Sequence, residues 1–479
     1  MTPTMHASLP HVVIVGGGIT GLSAAHALDK SSDRLRYTLI ERDARLGGKV
    51  RTDIVEGQGR YVIEAGPDSF LTQKPAALGL VRDLGLAERL IGSNQQQKTV
   101  YIYSRGRLEQ MPEGLMLVVP LKLGPFIRSG LLSLPGRLRA GLDFILPRRR
   151  DPGDESLGDF IRRRMGREVL ERMAEPLMSG IHNAECERQS IQATFPRFQQ
   201  AERTHGSLIR GLRAEQKAMR AKRKPGAPAV PAFASFPNGL QELIDRLSAS
   251  IQGSVLRDTG VASIQKAQNG YRVLLENGEV LDADAVIMAT PAYATAQIVR
   301  GFAPDLAAQL EQIRYVSTGT VTLAFRSSDL AHVKPCAGVL LPRIEGRKIN
   351  AVTMSSIKWE GRASGDTTLL RVFFGGSHNP GTFALEDPQL METVRAELRE
   401  LLGITAEPLH THIVRWHRAN PQYDVGHLDR VAQMEKASPQ GLYLAGCAYR
   451  GVGIPDCVQQ GQDAAKRALG RIAQLVASN

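Results

Sequence analysis

A strand, a glycine-rich turn and a helix follow one another in HVVIVGGGITGLSAAHAL, residues 11 to 28, and no other stretch constrains the fold as strongly. Gly16, Gly18 and Gly21 fit G-x-G-x-x-G, which allows a tight turn, approach of the backbone to a pyrophosphate, and close helix packing. The helix N-terminus then offers free N–H groups to the phosphates. RYTLIE reads as the next strand and ends at Glu41, a carboxylate placed for a ribose hydroxyl. These features predict a Rossmann-type dinucleotide-binding unit.

The sequence after Glu41 favours FAD over NAD. ERDARLGGKVRT supplies a second glycine pair, Gly47 and Gly48, with Arg45, Lys49 and Arg51 as cations that could neutralise a pyrophosphate. An NAD dehydrogenase would ordinarily continue into another strand and helix. Here YVIEAGPDSF follows instead, and its turn at 66–67 lets flat rings approach bare backbone.

The C-terminal segment repeats the same local pattern. GLYLAGCAYRGVGIPDCVQQGQDAAKRAL predicts a strand at 442–445, a turn containing Gly446, Gly451 and Gly453, and a closing helix. The N-terminus of that helix, at 453–458, could stabilise negative charge on a reduced flavin. The alternative is a helix that only docks onto the rest of the protein.

Length and composition set the remaining bounds. The 479 residues are 42% hydrophobic and 23% charged, typical of a globular protein of two or three packed units. No run of about 18 apolar residues suggests a membrane span, and MTPTMHASLP lacks the features of a signal peptide, so we expect a cytoplasmic protein. The four cysteines are scattered without a CxxC pair, which favours buried small side chains over a disulfide or zinc site.

The net charge of +12 could indicate an anionic partner. Much of the excess lies at residues 203–224, followed by the Pro-rich run PGAPAVPAF. No aromatic side chain is interleaved there for base stacking, so a solvated basic face or linker is expected rather than a nucleic-acid site. Contact with anionic lipid is the more plausible functional variant.

Five further motifs are similar to a known family. They are GPDSFLTQK, EPLMSGIHNAECERQSIQATFP, FPNGLQELIDRL, RWHRANPQYDVGHLDRV and YRGVGIPDCVQQG, which span nearly the whole chain. With RLGGKVRT they resemble the flavin amine oxidase superfamily and, within it, the oxygen-dependent porphyrinogen oxidases of the bacterial soluble branch. The run GIHNAE departs from the Gly-Ile-Tyr-Ala-Gly-Asp-like run more usual there, which would alter substrate preference if this loop touches substrate.

This resemblance implies an α/β fold: a Rossmann-type FAD-binding domain, an antiparallel-sheet substrate domain and a helical subdomain. The segment at 313–374 alternates apolar and polar residues, as a half-covered antiparallel sheet does. The expected division is a discontinuous FAD-binding domain at 1–75, 236–292 and 410–479, a helical subdomain at 76–220, a Pro-rich linker at 221–235 and a substrate-binding sheet domain at 293–409.

The resemblance also implies the site residues. Val261 is expected to meet the adenine edge through its backbone, and Trp416 to line the flavin site or else pack in the core. The full set assigned to FAD is Gly16, Gly17, Gly18, Ile19, Thr20, Gly21, Glu41, Arg42, Gly47, Gly48, Lys49, Gly66, Pro67, Val261, Trp416, Gly446, Val452, Gly453 and Ile454.

The implied reaction removes six electrons from a porphyrinogen in three steps, with O2 as acceptor and release of H2O2. FAD carries this chemistry, so no catalytic side chain and no metal is expected. Asp68 and His417 are weaker candidates for a general base, since turn-forming aspartates and surface histidines are common.

The substrate is expected to be a disc with an apolar centre and anionic propionates. By the same resemblance Leu340 and Thr353 would flank pyrrole rings, Phe373 would stack on one, and Lys74 would meet a propionate. The alternatives are ordinary sheet packing for Leu340, Thr353 and Phe373 and a solvated loop charge for Lys74. The basic balance and the motifs favour coproporphyrinogen III, with four propionates, over protoporphyrinogen IX, with two.

Three other hypotheses stay open at this point. A flavin amine oxidase or carotenoid desaturase would share the terminal motifs but should lack PQYDVGH, and a non-catalytic flavin-binding protein would share them too. The apolar and basic stretch at 115–132 could rest on a membrane or on the next haem-pathway enzyme. The oligomeric state is not predicted.

Overall fold

A parallel five-stranded sheet forms the centre of the nucleotide-binding half. The computed structural model describes residues 9–31, 34–222 and 231–478. The strands lie in the order Ser254–Leu256, Arg36–Ile40, His11–Val15, Ala285–Met288 and Leu442–Leu444. All five residues of His11–Val15 are buried, because helices and a further sheet cover both faces, as is usual for parallel sheets.

The two faces of this sheet carry different layers. On one face the helices Ile19–Asp29 and Ile454–Ser478 pack against each other and share a core with Pro75–Asp83 and Gln241–Ser250. The other face is covered by the antiparallel strands Val261–Lys266, Tyr271–Leu275 and Val280–Ala283 and by the helices Ala292–Val299, Pro304–Glu311 and His427–Ala437. Each face thus has its own apolar core.

A seven-stranded sheet forms the second half. Its order is His410–Pro421, Tyr315–Arg326, Thr367–Gly375, Ala351–Met354, Gly338–Leu340, Val100–Ser104 and Arg107–Gln110. Every pairing is antiparallel except that of Gly338–Leu340 with Val100–Ser104. The helix Asp387–Leu402 packs on one face with a core of Val321, Leu323, Val352 and Phe374, which leaves the other face for the site described below.

A helical region packs against the end of this sheet. Its members are Leu123–Arg128, Leu134–Gly141, Leu157–Arg164, Arg167–Val169, the π-helical turn Leu170–Ala174, Glu175–His182, Ile191–Thr194, Pro196–His205 and Leu208–Lys222. Its centre holds an ion pair between the fully buried side chains of Arg164 and Asp143, 2.6 Å apart. Asp143 also accepts the Ile209 N–H at 2.9 Å and the Ser207 hydroxyl at 2.5 Å.

Short elements connect these parts. The hairpin Thr52–Glu56 and Arg60–Glu64 and the strands Phe70–Leu71, Phe233–Ser235 and Ile91–Gly92 lie between the two halves. Leu115–Met116 pairs with Val119–Pro120. The remaining turns are Ala87–Arg89, Leu142–Phe144, Ser327–Leu330, Arg343–Glu345, Ser355–Lys358 and Pro380–Phe383.

The structure differs from the expected domain division at three places. Val100–Ser104 and Arg107–Gln110 extend the large sheet, although 76–220 was expected to be helical. His410–Pro421 is an edge strand of that sheet rather than part of the nucleotide-binding half, and its many polar residues hide the strand period. The helix Pro304–Glu311 packs under the parallel sheet instead of in the substrate domain. In the expected linker, residues 223–230 lie outside the described residues.

Candidate active site

The first glycine-rich turn packs as tightly as its pattern predicts. Gly16 has φ +106°, and its N–H donates to Ile40 O at 2.8 Å. A Cβ on Gly21 would lie 1.9 Å from Gly16 O, so only glycine lets the helix approach the end of the strand. The turn is therefore held beside the carboxyl ends of two neighbouring parallel strands, where nucleotides bind in such sheets.

The turn presents an open backbone surface that fits a dinucleotide phosphate. The helix Ile19–Asp29 begins after Gly18 without a side-chain cap, and a Cβ on Gly18 would meet nothing within 4 Å. Gly18 pairs with Gly47 in an isolated bridge, and Gly48 lies against the Cα of Gly18. A helix start with uncapped N–H groups and a cradle of glycines is the chemistry that binds phosphate.

Glu41 ends the second strand as predicted. Its Oε2 accepts the Gly17 N–H at 2.6 Å, and its Oε1 accepts the Asp43 N–H at 3.0 Å. Its carbonyl oxygen accepts the Thr259 N–H at 3.1 Å, which brings the strand beginning at Val261 next to it. Val261 is 8% exposed and packs in the core on this side of the parallel sheet, and its contact with an adenine edge stays a prediction. The contact of Glu41 with a ribose stays a prediction.

The three cations near the glycine pair have protein partners. The Arg45 guanidinium donates to Leu46 O at 2.8 Å, to Val50 O at 3.0 Å and to Gly48 O. Lys49 donates to Ala419 O and lies 3.5 Å from Cys447 Sγ, and Arg51 pairs with Asp53 at 2.7 Å. These contacts hold the loop in place, and the neutralisation of a pyrophosphate by these cations stays a prediction. Arg42 is exposed.

The C-terminal turn lies beside the first one. Gly446 has φ +129° and faces the Thr20 hydroxyl, and a Cβ on Gly461 would lie 2.2 Å from Thr20 O. The helices Ile19–Asp29 and Ile454–Ser478 therefore approach closely along their first turns. Val452, Gly453 and Ile454 lead into the second helix, so two helix N-termini converge where the flavin was expected.

The turn at residues 65–67 joins this region to the large sheet. A Cβ on Gly66 would lie 1.8 Å from Lys49 O. Trp416 Nε1 donates to Ala65 O at 2.8 Å, and Arg371 donates to Gly66 O at 2.7 Å. Trp416 therefore anchors the turn on which Gly66 and Pro67 were expected to meet the flavin.

The strand register places the three predicted sheet residues on one face. Leu340 is opposite Ala351, which is opposite Phe373. In the adjacent row, Thr353 is opposite Arg371. Because side chains alternate along a strand, Leu340, Thr353 and Phe373 project to the same side, away from the core under Asp387–Leu402. All three are half-buried. A Cβ on Gly180 would come 3.9 Å from the Leu340 side chain, which places the helix Glu175–His182 across from this face.

Lys74 lies at a different place from the sheet residues. Its Nζ is 2.6 and 2.7 Å from the two carboxylate oxygens of Asp456, in the first turn of the last helix. About half of the Lys74 side chain is exposed. Lys74 therefore stands near the expected flavin end, and Asp456 is a partner that the sequence did not predict across 382 residues.

Neither general-base candidate is placed for that role. Burial alone would raise the pKa of Asp68, but the Lys358 ammonium at 2.6 Å and the Ser69 hydroxyl hold that pKa well below its usual range. Asp68, whose side chain is 22% exposed, is thus an ion-pair partner of Lys358. His417 is exposed and packs edge-on against Phe383, on the opposite side of the strand from Trp416.

Sequence reasoning missed Arg371. It was passed over because it lies inside the apolar run LLRVFFGG, and a charged residue in such a run is itself the signal that could have identified it. It is 5% exposed and contacts both the turn at residues 65–67 and the Phe373 ring.

Comparison with known proteins gives consistent results. The family model described as flavin containing amine oxidoreductase matches residues 19–469. Coproporphyrinogen III oxidase of Bacillus subtilis is 36% identical over 96% of this chain and 98% of its own length. The chloroplastic protoporphyrinogen oxidase of Oryza sativa is 31% identical over 95% of this chain and 87% of its length.

Solved structures agree at the level of the fold. The crystal structure of a putative protoporphyrinogen oxidase from Exiguobacterium superposes with a TM-score of 0.83 at 32% identity, covering 96% of this chain and 98% of that one. Putrescine oxidase superposes with a TM-score of 0.71 at 18% identity, covering 96% of this chain and 99% of that one. The expected α/β architecture is confirmed.

Proposed function

Because this chain belongs to the flavin-containing amine oxidoreductase family, we propose that it is an FAD-dependent coproporphyrinogen III oxidase of haem biosynthesis. Its similarity to proteins named coproporphyrinogen III oxidase, from Bacillus subtilis and from Propionibacterium freudenreichii at 35% identity, supports this substrate. Protoporphyrinogen IX is the second candidate, supported by the Oryza sativa relative. An amine or carotenoid substrate has less support, because the amine oxidases in the comparison are under 25% identical.

The register of the large sheet is the observation that carries the proposal. It brings Leu340, Ala351 and Phe373 into one row across three strands as an apolar wall, with Thr353 in the next row. Such a wall suits the flat apolar centre of a macrocycle, and the turn at residues 65–67 is hydrogen-bonded to the same face. A substrate lying on this wall would have its edge next to the proposed flavin position, which is the positioning that this chemistry needs.

In this proposal the protein binds, orients and encloses. Bound FAD supplies the two-electron oxidation, repeated three times, and O2 as acceptor would take the six electrons and six protons away as three H2O2. The helix starts at residues 18–20 and 453–456 would hold the phosphates and the negative charge of the reduced ring. Leu340, Phe373 and the helix Glu175–His182 would exclude water from the substrate. Lys74 would meet one propionate.

Parallel kinetics on the purified yellow protein test the proposal. Porphyrin fluorescence and H2O2 are followed with coproporphyrinogen III and with protoporphyrinogen IX. A several-fold higher kcat/KM for coproporphyrinogen III is expected. The opposite preference would support the second candidate, and no turnover of either would refute a porphyrinogen oxidase. Phe373→Ala should lower kcat/KM, whereas Phe383→Ala, on the other face, should leave it near the wild-type value.

We further propose a cytoplasmic protein whose helical region makes peripheral contact with anionic lipid. In the described residues no helix is long and apolar enough to cross a membrane. The stretch at 115–132 is only partly buried in the helical core: its Ile127 is 55% exposed, and its Arg128 is exposed. Further exposed apolar side chains follow it: Leu134 and Leu138 are 67% exposed and Ile145 is 75% exposed, and the exposed Arg150 comes after them in the sequence. Apolar groups flanked by cations suit an anionic surface.

Flotation with liposomes tests this contact. Co-flotation with phosphatidylserine vesicles but not with phosphatidylcholine vesicles is expected, and Leu134→Glu with Leu138→Glu should abolish it. Exposed positions tolerate such substitutions, so folding should be unaffected. If the protein stays at the bottom of the gradient with both vesicle types, lipid contact is refuted. The alternative is then contact with the next enzyme of the haem pathway.

A further inference from the structure

Arg371 is a buried cation between the two halves of the site. It lies in the strand Thr367–Gly375, on the same face as Phe373, and is 5% exposed. Its Nη2 donates to Gly66 O at 2.7 Å and lies 3.4 Å from Ala65 O. Its guanidinium carbon lies 4.8 Å from the centre of the Phe373 ring. A single side chain thus touches the expected flavin turn and the expected substrate wall.

The neighbouring charges do not pair with Arg371. Asp68 accepts from Lys358 at 2.6 Å and from Trp359 Nε1 at 3.2 Å. Glu64 is 3.1 Å from Arg362 and accepts from Thr52 and from the Leu240 N–H. Across the sheet, His412 is 2.9 Å from Asp53. Among the described residues no carboxylate is within ion-pair distance of Arg371.

The net charge of this cluster is therefore positive. Arg371, Arg362 and Lys358 face Asp68 and Glu64, so three cations meet two carboxylates, and Arg371 is the cation without an ion pair. Its Nε also lacks a hydrogen-bond partner in the described structure. A buried, unpaired charge is costly, which makes its presence beside a proposed active site informative about function.

We propose that Arg371 is a positioning residue that fixes the turn at residues 65–67 against the flavin and whose positive charge favours the reduced flavin. The inference rests on the proposed placement of the flavin at Gly66 and Pro67. Reduction adds negative charge to the ring system, and a fixed cation in a poorly solvated site stabilises such charge more than water would. Through its contact with the Phe373 ring, the same side chain also fixes the position of Phe373 relative to the turn.

The geometry also explains why arginine rather than lysine stands here. The planar guanidinium can stack on the Phe373 ring while its edge donates to the backbone carbonyls of residues 65 and 66. A lysine ammonium could supply the charge but not both contacts at once. Arg371→Lys therefore separates the charge from the positioning.

Three variants test the proposal by the midpoint potential of the bound flavin, measured by dye equilibration. Arg371→Met and Arg371→Gln both remove the positive charge and should lower the midpoint potential. Arg371→Gln also keeps a hydrogen-bond donor for Gly66 O, so it serves as the test if Arg371→Met loses FAD. Each tenfold loss in the preference for reduced over oxidised flavin corresponds to about 30 mV for two electrons. Arg371→Lys should keep the potential near wild type but change the visible flavin spectrum.

Arg362→Met is the matched control. Arg362 is 1% exposed and belongs to the same ion cluster, but it donates to Ser235 and pairs with Glu64 rather than contacting the turn. Arg362→Met should lower the Tm, and it should lower the potential by clearly less than Arg371→Gln does, because Arg362 does not contact the turn at residues 65–67. An equal fall in potential in this control, or an unchanged potential in Arg371→Gln, would refute the role of Arg371.

The potential is measured without a porphyrinogen, so the two proposals fail separately. If no porphyrinogen is oxidised but Arg371→Gln lowers the potential, the inference stands and the proposed substrate falls. If coproporphyrinogen III is oxidised and the potential of Arg371→Gln is that of wild type, the proposed function stands and the inference falls.

Discussion

Replacing Asp456 with asparagine should improve the apparent affinity for a polycarboxylate substrate. Both carboxylate oxygens of Asp456 lie within 2.7 Å of Lys74 Nζ, so this carboxylate occupies the position that a propionate would take on the same ammonium. A substrate carboxylate must therefore compete with Asp456. Removing the negative charge while keeping the size of the side chain frees Lys74 for substrate.

The exposure of the pair limits the size of the effect. The Lys74 side chain is 52% exposed and that of Asp456 18% exposed, so the ion pair should contribute at most about 1 kcal/mol. That free energy corresponds to about a fivefold change in a binding constant. We expect Asp456→Asn to lower the KM for coproporphyrinogen III by up to about fivefold, and Lys74→Met to change it by less, because the substrate contact that it removes had to displace a comparable contact with Asp456.

A double-mutant comparison separates this effect from others. In the Lys74→Met background, Asp456→Asn should have no further effect on KM, because the two changes act through one contact. Asp83→Asn is the matched control, since Asp83 pairs with Lys30 at 3.0 Å on the helix that follows Lys74. Initial rates of porphyrin fluorescence give KM for each variant. A higher KM in Asp456→Asn would refute competition and make Asp456 a support for Lys74 instead.

Three further predictions concern the cofactor and stability. Gly21→Ala should reduce the flavin-to-protein absorbance ratio of the purified protein, because its Cβ would lie 1.9 Å from Gly16 O and push the helix from the phosphate turn. Arg164→Met should lower the free energy of unfolding by about 3–5 kcal/mol in denaturant titrations, because it strands the fully buried carboxylate of Asp143. Burial lowers the pKa of His427 to about 4, so between about pH 6.5 and 4 the unfolded chain binds one proton more than the folded protein. The free energy of unfolding should therefore fall as the pH is lowered, by about 1.4 kcal/mol per pH unit from this group. Urea titrations of His427→Gln across this range should show a shallower fall.

The parts of the site that the sequence predicted are those built from local patterns. The turn at Gly16–Gly21 combines a buried strand, four glycines and a helix within a few residues, and the structure places it as expected. Leu340 and Phe373 were assigned by resemblance to motifs, and their common face follows from strand alternation once the register is known. Local geometry carries most of this information.

The missed contacts depend on distant chain segments. Lys74 pairs with Asp456, which lies 382 residues further along the chain. Nothing in the local sequence distinguishes either residue from an ordinary exposed charged residue. The strand His410–Pro421 contains too many polar residues for its period to be visible, because it lies at the edge of the sheet. Lys49 donates to Ala419 O in the strand His410–Pro421, 370 residues further along the chain, a contact that its local sequence does not indicate.

The contacts around residues 64–68 explain how two separate sheets can build one reaction site. Arg371 reaches Gly66 O across 305 residues, Trp416 reaches Ala65 O across 351, and Lys358 reaches Asp68 across 290. The turn proposed to touch the flavin is thus hydrogen-bonded to three different segments of the substrate half. A movement of the substrate wall away from the nucleotide-binding half would break these bonds, including the ion pair of Lys358 with Asp68, whose side chains are 26% and 22% exposed. The distance between the proposed flavin and macrocycle positions is therefore set by this polar cluster as well as by the apolar cores on either side.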